Sequence, residues 1–342
     1  MPVLLPELTA IRRLVDTSAP YLTLHTLGEI DAGHGERFPL LAVSMGSSDP
    51  AAPALGVFGG VHGLERIGAE VAMAFLRSLV ERLTWDDTLH HLLAGMRLVL
   101  MPLVNPGGYW RGSRANPRGV DLMRNAPVDA QPPVPWLVSG QRISPVLPWY
   151  RGRAGQPMEA ESQALCALVE SQLLGRGFSI AVDCHSGFGL HDRIWFPYAH
   201  TAHPVEHLPE LHALCEVFDR AQLHHRYVFE PQSRQYRTHG DLWDHLYDQG
   251  QHQHPGSIFL PLTLEMGSWL WVKKNPRQLF SRHGAFNPLI EHRRQRVLRR
   301  HVAWLDFIAR ATLGHAHWLP APTERHTQLE LALNRWYRTP RA

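Results

Sequence analysis

Along the chain, short apolar runs alternate with longer stretches in which apolar residues return every three or four positions. Residues 54–61 form a continuous run of small and apolar side chains, the pattern of a strand buried on both faces. Immediately after it, Ile67, Val71, Phe75 and Leu79 fall on one helical face, with Leu76, Val80 and Leu83 beside them, which predicts a helix packed on a sheet. Comparable apolar runs at 97–104, 178–185 and 257–264 read as buried strands, and 193–197 as a further strand. Segments 21–30 and 38–45, separated by the turn-rich residues 31–35, predict a hairpin at a sheet edge. Helical patterning covers 85–94, 159–174, 208–222, 241–248 and 288–313, after a short polar helix or coil before residue 20. Strands alternating with helices throughout predict an α/β fold: three αβα layers around a mixed, mostly parallel, twisted sheet.

With 342 residues, 44% of them hydrophobic and 19% charged, the chain has enough apolar material for one large core. The expectation is a single domain over 1–320 followed by a weakly patterned tail at 321–342, with no internal repeat. Residues 126–157 are rich in Pro and Gly and lack periodicity; long irregular segments of this kind often form cleft walls.

The net charge of +3 is small for this size. Arg293, Arg294, Arg296, Arg299 and Arg300 are interleaved with Val297, Leu298, Leu305 and Ile308, the pattern of the wet side of a packed helix, so no nucleic-acid partner is expected. No apolar run is long enough for a membrane span, and residues 1–7 lack the basic and apolar regions of a secretory signal. Three cysteines, Cys166, Cys184 and Cys215, are an odd number in strand-like or helix-like segments. Buried free thiols in a reducing compartment follow, and with them the expectation of a cytoplasmic protein. Oligomeric state is not legible.

The first candidate chemistry lies where the 54–61 strand ends. His62 and Glu65 are three positions apart in a glycine-flexed turn, so an imidazole nitrogen and a carboxylate oxygen can converge on one metal ion. With 23 histidines in the chain the spacing alone carries little weight, and it recurs at His203/Glu206 and His207/Glu210. Those pairs lie in a polar helix-entry region that reads as solvated surface; only the first has a strand-turn-helix setting. His185 ends the 178–185 strand, where ligands of open α/β sheets gather, although a strand-end histidine satisfied by backbone fits the same pattern. Trp243, Trp269 and Trp271 read equally as pocket walls or as core.

Taken in order, His62 and Glu65, then Asn105-Pro106-Gly107-Gly108, Arg114, the string from Gly119 to Asn125, His185, Tyr236 and Glu265, resemble the motifs of the zinc carboxypeptidase family. The resemblance implies one zinc ion held by His62, Glu65 and His185 with a position left open for water, the two-histidine, one-glutamate set that is the standard example for carboxypeptidase A. It further implies that Asp121 accepts from the ring N–H of His62, that Glu265 is the general base, and that Arg114 stabilises developing negative charge. Arg111 and Arg118 are neighbours able to take the Arg114 role. Arg124, Asn125 and Tyr236 would hold the terminal carboxylate of a substrate. Met123 departs from the pattern: it stands where the family usually has Asn, and a thioether donates no hydrogen bond. The implied activity is cleavage of a C-terminal peptide or amide bond by metal-activated water. The alternative is an amidase or deacylase acting on acylated amino acids or cell-wall peptides, and a third reading is a binding protein that has lost turnover.

Overall fold

The computed structural model describes residues 5–338. Helix α1 (Pro6–Thr17) precedes β1 (Thr23–Gly33) and β2 (Glu36–Gly46), which pair antiparallel as the expected hairpin. Next come β3 (Ala54–Gly59), α2 (Arg66–Arg82), α3 (Asp87–Gly95), β4 (Arg97–Met101) and the short α4 (Pro106–Arg111). The second half contains α5 (Ala160–Gln172), β5 (Phe178–Ser186), β6 (Arg193–Phe196), α6 (Leu208–Ala221), β7 (Val228–Pro231), α7 (Leu242–Gln253) and β8 (Ile258–Met266). Helices α8 (Trp269–Lys274), α9 (Glu291–Leu313) and α10 (Arg325–Trp336) follow.

The eight strands form one sheet in the order β1-β2-β4-β3-β5-β8-β6-β7. Its centre, β4-β3-β5-β8, is parallel; β2 joins β4 and β6 joins β8 antiparallel. Helices cover both faces. On one, Phe58 of β3 meets Trp243 of α7 at 5.2 Å between rings. On the other, a Cβ on the next residue, Gly59, would lie 2.8 Å from the Gly68 carbonyl oxygen, so α2 packs directly on the strand backbone. Every residue of β5 is consequently buried, which accounts for the apolar run at its start, and its polar residues, Asp183 and His185 among them, are enclosed with it.

This order positions the site. The chain leaves β3 to build β4 on one side and later returns to build β5 on the other, and that reversal opens a crevice at the carboxyl ends of β3 and β5. His62 follows β3, and His185 lies at the end of β5 opposite Glu265 of β8.

Beyond residue 320, where a weakly patterned tail was expected, α10 packs on α6 with Ala332 and Trp336 buried. Leu329, Ala332, Leu333 and Trp336 are the stripe that makes it amphipathic. Two of the His-x-x-Glu carboxylates anchor it: Arg325 binds Glu206 and Glu210, both at 2.9 Å. Among the described residues, no helix is long and apolar enough to cross a membrane.

Candidate metal centre and catalytic cleft

Two asparagines hold the turn that carries His62 and Glu65. Asn105 accepts from the Gly108 N–H at 2.7 Å and donates to the Val61 carbonyl at 3.1 Å, so the Asn-Pro-Gly-Gly motif is a clamp on this turn. From the other side Asn287 donates to the Leu64 carbonyl at 2.8 Å and accepts from the Ile67 N–H at 2.9 Å, at the start of α2. Anchoring from two distant segments gives the ligands a fixed origin.

Among the described residues, His62, Glu65 and His185 form a buried cluster whose ligand atoms all lie within 4.8 Å of one another. His185 Nδ1 is 3.2 Å from Glu65 Oε2, and the Ser186 N–H donates to that oxygen at 2.9 Å. His62 Nδ1 is buried without a hydrogen-bond partner, a cost that a bound cation would remove if that nitrogen were the ligand. This donor set suits a zinc ion. Asp121 does not occupy the expected place. Its Oδ1 is 3.8 Å from His62 Nδ1, beyond a hydrogen bond, because the carboxylate is engaged by Arg114 at 2.8 Å and by the Met123 N–H at 3.1 Å.

The carboxylate that orients a histidine here is Asp183. Its Oδ2 lies 2.6 Å from His185 Nε2 and accepts from the Trp243 indole at 2.9 Å, leaving Nδ1 turned to Glu65. Trp243 is therefore core with a task. Asp183 precedes His185 by two residues on one strand, so both side chains share a face; that period was the signal in the sequence.

The two histidines are tuned in opposite directions. Burial, with Arg114 adding to it, drives His62 well below its ordinary value, so it is a neutral donor. Burial acts on His185 in the same sense, but Asp183 and Glu65 outweigh it and raise the ring well above its ordinary value. Burial and the neighbouring Glu65 charge push Glu265 up to about 8, against the pull of His185 and Arg114. One Glu265 oxygen accepts from the Phe188 N–H at 3.0 Å. Burial opposes the charge on Arg114, yet Asp121 and Glu65 hold it firmly protonated.

These groups open into a cleft of about 480 Å³. Arg114, Met123, Arg124, Tyr236 and Glu265 all line it, and Pro135, Val138 and Trp149 of the irregular segment supply one wall. Arg111 and Arg118 are held elsewhere, the first on the carbonyls of Ala32 and Pro117, the second exposed beside Glu159. Asn125 is not brought to the cleft: its amide donates to the Arg151 carbonyl and accepts from the Glu159 N–H, fixing the irregular segment instead. Phe188, Trp195 and Asp241, which carry no motif, also line the cleft. Trp271 is buried, while Trp269 is half exposed and lies tilted against Phe188, with ring centres 5.6 Å apart.

A two-histidine, one-glutamate centre at the switch point of a mixed α/β sheet, beside a buried glutamate and two arginines, is the architecture of a zinc-dependent hydrolase. Residues 19–259 match the sequence profile of the zinc carboxypeptidases, peptidase family M14, and the chain belongs to that family. A stretch of 125 residues, 34% of this chain, is 30% identical to carboxypeptidase D of Drosophila melanogaster but spans only 9% of that protein. In fold, the chain is similar to thrombin activatable fibrinolysis inhibitor (TM-score 0.65, 18% identity, 90% of this chain and 72% of that one). It is also similar to carboxypeptidase A from Helicoverpa armigera (TM-score 0.57, 16% identity, 86% of this chain and 71% of that one).

Proposed function

We propose that the protein is a metallocarboxypeptidase that binds one zinc ion through His62, Glu65 and His185 and hydrolyses the C-terminal bond of a peptide. The observation that carries this reading is the convergence of His62, Glu65, Arg114, Arg124, His185, Tyr236 and Glu265, from segments up to two hundred residues apart, on one cleft. Zinc, when bound, polarises the scissile carbonyl and acidifies its water. Glu265, buried at the strand end and oriented by the Phe188 N–H, takes the proton from the attacking water and returns it to the leaving amine. Arg114, fixed by Asp121, places a permanent positive charge near the carbonyl oxygen as that oxygen becomes negative. Arg124 and Tyr236 hold the substrate's terminal carboxylate by charge and hydrogen bond.

Met123 lines the cleft beside Arg124 and removes one donor from that grip. The test is therefore paired blocked peptides differing only in a free or amidated C-terminus, assayed with the zinc-loaded protein. Preferential cleavage of the free acid is expected. Equal cleavage, or hydrolysis of acyl-amino acids alone, overturns the carboxypeptidase reading in favour of amidase or deacylase work. The reading extends to a cytoplasmic setting, supported by three free, buried thiols.

A further inference from the structure

The string from Gly119 to Asn125 delivers only part of a grip for a substrate's terminal carboxylate. Arg124 is 3% exposed, and its guanidinium is fixed in the cleft by the Val138 carbonyl at 3.4 Å and the Met123 carbonyl at 3.2 Å. Its two neighbours add no amide. Met123 lines the cleft with a thioether, and Asn125 spends its amide on Arg151 and Glu159.

A segment more than a hundred residues later brings an amide to the same cleft. Gln232 is 8% exposed and lines the cleft, the only amide side chain to do so among the described residues. The Tyr236 N–H donates to the Gln232 carbonyl at 3.4 Å, so the two residues are one helical turn apart and their side chains are neighbours. Tyr236 in turn lies beside Arg124, whose charge works against the upward push of burial on the phenol. The Gln232 amide has no hydrogen-bond partner among the described residues, although buried amides are normally satisfied. Other neutral donors of the cleft are committed: the Trp195 indole donates to Glu230 at 3.2 Å, and the Ser186 hydroxyl to the Phe286 carbonyl at 2.7 Å. Thr263 sits across the sheet from Trp195, on the strand that carries Glu265.

We propose that Gln232 donates its side-chain amide to the terminal carboxylate of the substrate, taking over the donor that Met123 lacks. Arg124 then supplies the charge, while Tyr236 and Gln232, presented by one turn, supply the flanking donors. The inference deepens the carboxypeptidase reading and rests on it.

Binding without turnover tests it. The zinc-loaded Glu265→Gln protein is titrated calorimetrically with blocked peptides ending in lysine or norleucine, each as free acid and as amide. The free acids are expected to bind more tightly than the amides by about tenfold or more, the size of a hydrogen bond to a charged group. Adding Gln232→Met, which keeps the side-chain length, weakens both free acids by about tenfold and leaves the amides within about threefold. Gln232→Glu, of the same shape, sets a like charge against the carboxylate and weakens the free acids at least as much. The replaced amide makes no bond within the chain, so the fold survives both changes, and chelator competition should show zinc retained in each. Free acids and amides bound equally by the Glu265→Gln protein would defeat the carboxypeptidase reading, and the inference with it. A free-acid preference that survives both Gln232 substitutions overturns the inference alone, as does a loss confined to either the lysine or the norleucine pair, which would assign Gln232 to the side chain.

Discussion

His185 and His301 are both buried histidines with a carboxylate and an arginine in the neighbourhood, yet they are held in opposite states. His301, in α9, receives the Tyr227 hydroxyl at 2.8 Å on Nδ1; its Nε2 has no partner, and the nearest carboxylate oxygen, on Asp192, is 3.9 Å away. Burial there pushes the ring down to about 4, with Asp192 resisting and Arg300 assisting. His185 has a carboxylate at each nitrogen, 2.6 Å and 3.2 Å away, and is raised instead. The carboxylates differ too: Asp192 is neutralised by Arg300, whereas Asp183 receives only a neutral indole. Burial is common to both sites, so about an ångström of carboxylate approach decides the sign. One pocket is built to keep a ring neutral; the other is built around positive charge, which a proton or a metal ion can supply.

The largest effect expected from this contrast is on stability. Because the folded-state value of His301 lies below that of the unfolded chain, its contribution is complete above about pH 6.5 and is lost as the pH falls from there toward about 4, where the unfolded chain binds a proton that the folded one refuses. Urea unfolding at pH 7.5 and pH 4 is expected to show the natural protein losing on the order of 3 kcal/mol more than His301→Gln, which cannot titrate. Identical losses in the two proteins would remove the neutral pole of the comparison.

At the other pole the expected change is in metal affinity. Asp183→Asn keeps an acceptor for Trp243 but takes away the charge behind His185, and loss of such an outer carboxylate weakens zinc by about ten- to a hundredfold. Competition with a chromophoric chelator measures it. Asp192→Asn, the same change at a partly buried carboxylate away from the metal centre, serves as the control and should leave zinc affinity where it was; equal losses in both variants would mean that the carboxylate acts through general stability.

Much of the site was legible because its parts are local. The His62/Glu65 turn follows a strand of recognisable pattern, His185 and Glu265 each close an apolar run, and Arg124 and Tyr236 belong to strings that could be matched in order. What a motif does not carry is side-chain direction. Asp121 and Asn125 belong to the same string as Arg124, yet Asp121 turns to Arg114 and Asn125 turns inward to the irregular segment. Helix α10 lay in a stretch read as tail because its apolar stripe is thin, and its partner, α6, is more than a hundred residues away in the chain. Asp183 was hidden among apolar residues of a buried strand, where only its two-residue offset from His185 marked it. Asp241, five residues after Tyr236 but part of no matched motif, reaches the cleft at the start of α7.

Asp241 also tests the comparison most finely, as a buried carboxylate with neither Asp183's histidine nor Asp192's arginine. Its Oδ1 caps α7 by accepting from the N–H groups of Trp243 and Asp244, while Oδ2 has no partner. Burial and the nearby Asp244 push it up to about 7, and Arg124, lining the same cleft, pulls back only in part. A cation brought by a substrate would supply the charge that the protein withholds. The zinc-loaded enzyme is therefore expected to cleave peptides ending in lysine over those ending in norleucine, which is similar in length and uncharged, by about tenfold in kcat/KM. Since the carboxyl ionises as pH rises through about 7, the preference should grow between pH 6 and pH 8 while the rate on norleucine peptides follows its own profile. Asp241→Asn should erase the preference and its pH dependence together. A preference that survives the substitution would place the recognition of charge elsewhere in the cleft, and a flat ratio across this range would mean that Arg124 already satisfies Asp241 as Arg300 satisfies Asp192.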